Sequence, residues 1–251
     1  MLRTTGNTTS KLNTNWRSRH LGESVQVVRW GVSGRPVLLF PTAGGDAEEC
    51  ERFLMLRVLE PLLAAGRVKV YSIDSVAGRA WINKEHSGAY KARVQNRFDS
   101  FIYEELVPAI RRDCNSSDIE IVTAGASLGA FNALASLCRH PDVFSTAVCM
   151  SGTYDFTRWM NGEHTHDFHV SSPLHFLAYM DECPQLERLR TRSVILATGE
   201  GKWEDPGESW RVAQLLGRRR VPNRVDLWGE RYDHDWVTWR DMLPKYLDQL
   251  T

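Results

Sequence analysis

Short apolar segments alternate with segments of helical periodicity along most of this 251-residue chain. Residues 36–40 (PVLLF) and Val68–Ile73 (VKVYSI) have the composition of buried strands, whereas residues 90–112 carry apolar side chains at helical spacing. Buried strands that alternate with helices are typical of a parallel sheet that is covered on both faces. The pattern therefore predicts an α/β fold with a mostly parallel central sheet and helices on both of its faces.

The same periodicities place the other elements along the chain. Strands are predicted over residues 24–30, 36–40, 68–73, 119–123, 146–151, 194–198 and 224–228, and helices over residues 48–65, 90–112, 128–139, 208–216 and 236–247. No repeat or linker interrupts this order, so a single domain is predicted over residues 1–251. Residues 155–190 are irregular and rich in His and aromatic side chains, which predicts a short cap-like insertion. Residues 1–15 are predicted to be a frayed tail.

Charge and cysteine usage exclude several broad classes of function. The 31 Lys and Arg residues balance 31 Asp and Glu residues, which argues against binding to nucleic acid or to an anionic membrane surface. No stretch approaches the roughly 20 apolar residues that a membrane-spanning helix needs. The five scattered cysteines show neither a CxxC motif nor metal-ligand spacing. The sequence therefore predicts a cytoplasmic protein without a disulfide framework.

The strongest chemical signal is the pentapeptide Gly125-Ala126-Ser127-Leu128-Gly129. It follows a predicted strand and leads directly into a predicted helix. A GxSxG sequence in this context is typical of a nucleophile elbow, in which glycines allow strand and helix to approach and the turn exposes the serine hydroxyl. A glycine-rich turn whose serine only caps the helix is the alternative. The strand before and the helix after the pentapeptide favour Ser127 as a nucleophile.

A serine nucleophile needs a histidine as its base and an acid that orients the histidine. In hydrolases with such an elbow the chain order is serine, acid, histidine. Of the eight histidines only His234 follows the last predicted strand. The acid is expected just after the strand over residues 194–198, where three carboxylates follow: Glu200, Glu204 and Asp205. Asp205 precedes a proline, as a helix cap would. We favour Glu204, and the other two remain alternatives.

Acyl transfer also needs hydrogen-bond donors for the oxyanion that develops on the acyl carbonyl. One predicted donor is the backbone N–H of Leu128, directly after the nucleophile. The second is expected in the loop over residues 41–46 (PTAGGD), whose small residues allow the backbone to approach a ligand. The N–H of Thr42 or Ala43 is predicted to supply it.

Aromatic side chains in and near the insertion are candidates for an apolar substrate pocket. Trp81, Tyr154 and Trp159 are the predicted substrate-binding residues, with local packing as the alternative for each. The insertion also holds four histidines, His164, His166, His169 and His175. An HxH pair can ligate zinc, but no cysteine or acidic ligand pattern accompanies these four. We expect them to be cap or loop residues, and we expect neither a metal nor a cofactor.

Taken together, these motifs resemble the putative esterase family of the α/β-hydrolase superfamily, which includes S-formylglutathione hydrolases, feruloyl esterases and antigen 85 mycolyltransferases. The matching segments are residues 104–108 (EELVP), 125–130 (GASLGA), 140–144 (HPDVF), 151–152 (SG) and 234–240 (HDWVTWR). The resemblance implies the α/β-hydrolase fold, with Ser127 as nucleophile, His234 as base and a carboxylate within residues 200–205 as the acid. The chain departs from the family in that loop, where GEGKWEDP stands in place of a Gly-Thr-Glu/Asp run.

Residues and resemblance together predict an enzyme, a serine hydrolase that cleaves small carboxylic esters through an acyl-enzyme intermediate. Two alternatives use the same fold. An acyltransferase would pass the acyl group to an alcohol or sugar instead of water, and a non-catalytic binding protein would retain the fold without turnover. A homo-oligomer is compatible with the sequence, whereas nucleic-acid and membrane partners are not expected.

Overall fold

Eight strands form one sheet in the computed structural model, which describes residues 10–251. The strands are β1 (Lys11–Arg17), β2 (Ser24–Trp30), β3 (Arg35–Phe40), β4 (Val68–Ile73), β5 (Ile121–Ala126), β6 (Phe144–Met150), β7 (Ser193–Thr198) and β8 (Asn223–Leu227). Their spatial order is β1-β2-β4-β3-β5-β6-β7-β8. β2 runs antiparallel to both of its neighbours, and all other neighbouring strands are parallel. The predicted mostly parallel sheet is confirmed.

Helices lie between the strands and cover the sheet. They are α1 (Glu49–Arg52), α2 (Met55–Ala64), α3 (Val76–Ile82), α4 (Gly88–Phe101), α5 (Val107–Asp113), α6 (Leu128–Arg139), α7 (His166–Ser171), α8 (Pro173–Tyr179), α9 (Pro184–Leu189), α10 (Pro206–Arg218) and α11 (Trp236–Leu250). A π-helical turn over Ile102–Leu106 joins α4 to α5, and Thr157–Trp159 forms a 3-10 turn. Among residues 10–251 no helix is both long and apolar enough to cross a membrane.

The core consists of two apolar clusters, one on each face of the sheet. Alternate residues of a strand point to opposite faces, and β3 shows this directly. Leu38 and Phe40 belong to the cluster that packs on α4 and α6, whereas Val37 and Leu39 belong to the cluster that packs on α2 and α11. Because both faces of the central strands are covered, these strands are continuous apolar segments.

Two predicted helices differ in the structure from their predicted bounds. The segment over residues 48–65 is divided between α1 and α2, because Leu54 adopts a left-handed backbone conformation with φ of 63°. The helix over residues 90–112 is longer than predicted and continuous from Gly88 to Asp113, since the π-helical turn does not break it. The Ser87 hydroxyl caps its start by accepting the Tyr90 N–H at 3.2 Å.

The amino-terminal tail is shorter than predicted. Residues 11–15 belong to β1, which pairs along its whole length with β2. The Lys11 ammonium forms salt bridges with Glu48 and Glu51, which fixes the start of the strand against α1. Residues 1–9 of the predicted tail lie outside the residues that the structure describes.

The insertion over residues 155–190 is helical rather than irregular, because it contains the 3-10 turn and three short α-helices. Its Glu163 carboxylate accepts the N–H groups of Gly88 and Ala89, at 2.8 and 2.9 Å. These are unpaired donors at the start of α4, where an acidic group is favourable. Phe156 and Phe168 from the insertion are buried in the core. The insertion is therefore packed firmly against the helices that cover the sheet.

Candidate active site

Ser127 lies in a strained turn between β5 and α6. Its backbone has φ of 56° and ψ of −119°, an unfavourable conformation for a residue with a side chain. The two glycines of the pentapeptide make the turn possible. A Cβ on Gly125 would lie 2.3 Å from the Gly129 carbonyl group, and one on Gly129 would lie 2.6 Å from the Phe40 carbonyl oxygen. Strand β3, strand β5 and helix α6 therefore meet at contacts that exclude larger residues.

The backbone of Ser127 is held by the last residue of β6 and by the segment that follows this strand. Its N–H donates to the Met150 carbonyl at 3.0 Å, and its carbonyl accepts the Thr153 N–H at 3.3 Å. Ser127 itself is only partly buried. The hydroxyl is thus displayed at the carboxyl end of the parallel strands, where open α/β sheets place their ligand sites.

Glu204 is the acidic side chain that the structure places beside His234. Its side chain is 1% exposed, and Oε2 lies 3.8 Å from His234 Nδ1. Of the two alternatives, Glu200 is exposed, and Asp205 caps α10 by accepting the Gly207 N–H at 3.0 Å. The helix-cap role predicted for Asp205 is therefore observed.

Two hydroxyl groups satisfy the buried Glu204 carboxylate. Ser151 Oγ donates to Oε1 at 2.5 Å, and Thr198 Oγ1 shares its proton between Oε2 at 3.1 Å and the Gly199 carbonyl at 3.0 Å. Ser151 also accepts the indole N–H of Trp239 at 2.9 Å. Buried polar groups need such hydrogen-bond partners, and these contacts fix the position of the Glu204 side chain.

Ser151, Thr198 and Trp239 were not among the residues selected from the sequence. Ser151 has φ of 47°, and its N–H donates to the Ala197 carbonyl at 2.7 Å, which aims its hydroxyl across the end of β7. The sequence signal that could have identified Ser151 and Thr198 is their place as polar residues at the carboxyl ends of neighbouring parallel strands. Ser151 directly follows β6 and Thr198 ends β7.

The histidine loop is attached to the acid loop through backbone and side-chain contacts. The His234 N–H donates to the Lys202 carbonyl at 2.9 Å, and Asp233 accepts the Lys202 N–H at 2.7 Å. Asp235 caps α11. The His234 ring lies edge-to-face with the Trp239 ring, with 5.2 Å between centroids. The loops after β7 and β8 therefore form one unit.

The loop over residues 41–46 distinguishes between the two predicted oxyanion donors. The Thr42 N–H donates to Glu49 Oε2 at 2.7 Å and its hydroxyl to Oε1 at 2.6 Å, so this N–H is engaged. Within residues 10–251 no acceptor is found for the N–H groups of Ala43 and Leu128. Ala43 and Leu128 are thus the donors available to a ligand, and the Thr42 alternative is disfavoured.

Two of the three predicted substrate-binding aromatic residues lie in the core instead. Trp81 and Tyr154 are each 1% exposed. The Trp81 indole donates to Gln95 at 3.0 Å and its ring contacts Phe156 edge-to-face at 4.8 Å. Trp159 is half-buried against the same cluster. Local packing, the alternative considered for these residues, therefore describes Trp81 and Tyr154.

One exposed and one half-buried tryptophan lie instead next to Glu204 and His234 in the sequence. Trp203, directly before Glu204, is 88% exposed and has φ of 66°. Trp236, two residues after His234, stacks on Phe53 with 5.0 Å between ring centroids. We refer to Trp203 and Trp236, which lie beside Glu204 and His234 along the chain, as the apolar border of the candidate site.

The four histidines of the insertion do not assemble into a metal site. Across residues 10–251 no group of three or more His, Cys, Asp or Glu side chains has the arrangement of metal ligands. His164 and His166 are exposed, and His175 Nδ1 lies 2.9 Å from Ser172 Oγ. Burial lowers the pKa of His175.

A strained serine between a central strand and a helix, in a mostly parallel eight-stranded sheet, defines the α/β-hydrolase fold. A family model described as "Putative esterase" matches residues 64–250, and the chain belongs to this family. Membership confirms both the resemblance and the prediction that the chain is an ester-cleaving hydrolase.

Solved structures with this fold match almost the entire chain. A ferulic acid esterase shares 16% identity at a TM-score of 0.75, over 97% of this chain and 98% of the other. An S-formylglutathione hydrolase from Agrobacterium tumefaciens shares 12% identity at a TM-score of 0.75, over 98% and 96%. MPT51 (FbpC1) from Mycobacterium tuberculosis shares 17% identity at a TM-score of 0.68, over 96% and 97%. Among curated protein sequences no match is found.

Proposed function

We propose that Ser127, His234 and Glu204 form the catalytic triad of this esterase. The observation that carries the proposal is the burial of one carboxylate, Glu204, with its Oε2 3.8 Å from the Nδ1 of the histidine that follows the last strand. This separation exceeds a hydrogen bond. Catalytic hydrogen bonds are often long in a free enzyme and shorten when substrate binds, so the 3.8 Å separation of Glu204 and His234 is compatible with the proposed triad.

In the first half of the reaction Ser127 Oγ attacks the acyl carbon of the ester. His234 Nε2 takes the serine proton, and Glu204 stabilises the imidazolium through Nδ1–H. The carbonyl oxygen gains negative charge and accepts hydrogen bonds from the N–H groups of Leu128 and Ala43. The tetrahedral intermediate then collapses, the ester C–O bond breaks, and the alcohol leaves with the proton from His234.

In the second half of the reaction water replaces the alcohol. His234 takes a proton from the water as its oxygen attacks the acyl-enzyme, and the same two N–H groups bind the second oxyanion. The bond to Ser127 breaks, the serine oxygen regains a proton from His234, and the carboxylic acid leaves. The apolar border that includes Trp203 and Trp236 would contact the apolar part of a small ester.

Labelling with a fluorophosphonate and turnover of p-nitrophenyl acetate test this function directly. We expect Ser127→Ala to lose labelling and to lower kcat by about a millionfold, to the level of background hydrolysis. Ser117→Ala, on an exposed loop, is the matched control and should behave as wild type. Unchanged turnover in Ser127→Ala would disprove the triad. A folded wild type that neither labels nor hydrolyses would indicate the binding protein, and transfer to an added alcohol at the expense of hydrolysis would indicate the acyltransferase.

A cytoplasmic location and self-association are further proposals. All five cysteines are free, and Cys50, Cys138 and Cys149 are buried, which supports a reducing compartment. Fractionation of cells that express the tagged full chain tests the location, and recovery outside the cytoplasm would contradict it.

Burial raises the pKa of the Cys149 thiol to about 12, so this thiol is not expected to react at neutral pH.

A further inference from the structure

The outer edge of β8 has no strand partner within residues 10–251. Hydrogen bonds to β7, on the other side of β8, identify which peptide groups of β8 are already paired. The Val194 N–H donates to the Pro222 carbonyl at 3.0 Å, and the Trp228 N–H donates to the Thr198 carbonyl at 2.9 Å. Successive residues of a strand direct their peptide groups to opposite sides. Even-numbered residues therefore pair with β7, and odd-numbered residues of β8 face outward.

Opposite charges lie on one face of this edge strand. Arg224 and Asp226 are two residues apart and therefore point to the same face, and Arg224 Nε lies 3.1 Å from Asp226 Oδ2. Arg224 also donates to Gln249 at 3.1 Å. Leu227 is 48% exposed, and an open groove of about 790 Å³ runs along the strand. The strand thus offers free peptide groups, one charge of each sign and the exposed Leu227, beside a groove whose lining also includes Arg231 and Lys245.

We propose that this edge binds a second copy of the chain by antiparallel pairing of β8 with β8, centred on Val225. In that register Val225 faces Val225 of the other copy, and Asn223 faces Leu227. All three outward-facing residues then form hydrogen-bonded pairs, with roughly six backbone hydrogen bonds in total. A two-fold axis through the centre makes the contact self-complementary.

Charge complementarity selects this register. Arg224 of each copy lies opposite Asp226 of the other, in a non-hydrogen-bonded pair where side chains are closest. Sliding the pairing by two residues along one strand places Arg224 opposite Arg224 or Asp226 opposite Asp226 and leaves residues unpaired. Only the register centred on Val225 pairs every residue of β8 and every charge favourably.

The opposite edge of the sheet lacks this complementarity. β1 is exposed along most of its length, and full antiparallel self-pairing would place Lys11 of one copy opposite Arg17 of the other. Like charges directly opposite each other are destabilising, and basic residues are a common protection of free edges. Self-association is therefore expected at β8 and not at β1.

Sedimentation velocity over a range of concentrations tests the interface. We expect wild type to be a dimer and Val225→Pro to be a monomer, because proline is tolerated where the N–H faces outward but blocks pairing there. Arg224→Asp and Asp226→Arg should each raise the dimer dissociation constant about tenfold or more, because both cross-strand pairs become repulsive. Arg17→Asp on β1 is the matched control and should leave the dimer unchanged.

Mixing the two charge variants tests the proposed pairing of Arg224 with Asp226 across the interface. Arg224→Asp mixed with Asp226→Arg should form a heterodimer, because each aspartate then faces an arginine, and the double swap should restore the homodimer. A monomeric wild type overturns the proposal, as does a dimer that persists in all three variants or a mixture that does not associate. Esterase turnover in every variant serves as the check of folding, since β8 is separate from the proposed triad.

Discussion

The elbow and the acid–histidine pair lie at the same end of the sheet but are held in different ways. The conformation of Ser127 is set by its own pentapeptide and by backbone contacts with β3, with the end of β6 and with the segment after β6. The position of Glu204 depends on side chains far away in the sequence, since Ser151 is 53 residues before it and Trp239 is 88 residues after Ser151. The proposed nucleophile is thus fixed mainly by the backbone, and its proposed partners are fixed mainly by a side-chain network.

Within this side-chain network, the largest loss of turnover is expected when the proposed acid, Glu204, is replaced. Glu204→Gln should lower kcat roughly 10³- to 10⁴-fold, because an amide neither stabilises the imidazolium nor ensures the correct histidine tautomer. Steady-state turnover of p-nitrophenyl acetate measures this loss. The loss should remain smaller than that of Ser127→Ala, because the elbow and the oxyanion donors are unchanged.

Two neighbouring carboxylates provide the controls for this assignment. Glu200→Gln changes an exposed residue and should retain full turnover. Asp205→Asn keeps a good helix cap and should also retain it. If either variant lost activity as completely as Glu204→Gln, the acid would have to be reassigned.

The next largest effect is expected in the elbow, where Gly129→Ala adds a single methyl group. A Cβ at position 129 would lie 2.6 Å from a backbone oxygen, so Gly129→Ala should lower the free energy of unfolding by about 3 kcal/mol and reduce turnover by displacing the elbow. Gly217→Ala in α10 is the matched control, with no atom within 4 Å of its Cβ. It should raise the free energy of unfolding by about 0.5 kcal/mol. Denaturant unfolding measures the free energy of unfolding of both variants. Equal stabilities of the two variants would contradict the close contact at position 129.

Loss of a single hydroxyl group tests whether the network acts on the triad. Ser151→Ala leaves Glu204 Oε1 and the Trp239 N–H without their partner, which should cost about 2 kcal/mol of stability and lower kcat about tenfold. A double-mutant cycle with Glu204→Gln separates positioning from general damage. In the Glu204→Gln background the Ser151 substitution should have little further effect on kcat. Multiplicative losses would show that Ser151 is only structural.

The sequence was sufficient for the features that depend on local pattern. Alternating apolar segments predicted the sheet, because strands buried on both faces have no polar side, and the pentapeptide predicted the elbow because small residues are required within it. The break at Leu54 was not predicted, since the apolar spacing continues through it. The π-helical turn was not predicted either, because it preserves the helical periodicity of the sequence.

The network and the pocket residues could not be predicted in the same way. Ser151 contacts Glu204 only because the fold brings the ends of β6 and β7 beside the indole of Trp239, and no short-range pattern records this. Aromatic residues in loops have the same sequence signature whether they line a pocket or fill a core, so Trp81 was selected although it is buried. Glu49 was not selected either, although it engages the Thr42 N–H.

The smallest expected effect concerns Trp203, on the apolar border of the candidate site. Trp203 is 88% exposed and makes up part of the acid loop, so Trp203→Ala should leave stability and kcat nearly unchanged. If its ring contacts the apolar part of the ester, KM should rise about three- to tenfold for p-nitrophenyl butyrate and less for the acetate, because burial of a few CH₂ groups against the ring is lost. Tyr179→Ala, 78% exposed on the insertion, is the matched control and should leave both KM values as in wild type. Equal KM values for Trp203→Ala and wild type with both esters would remove this residue from the substrate contact and place the apolar part of the ester elsewhere.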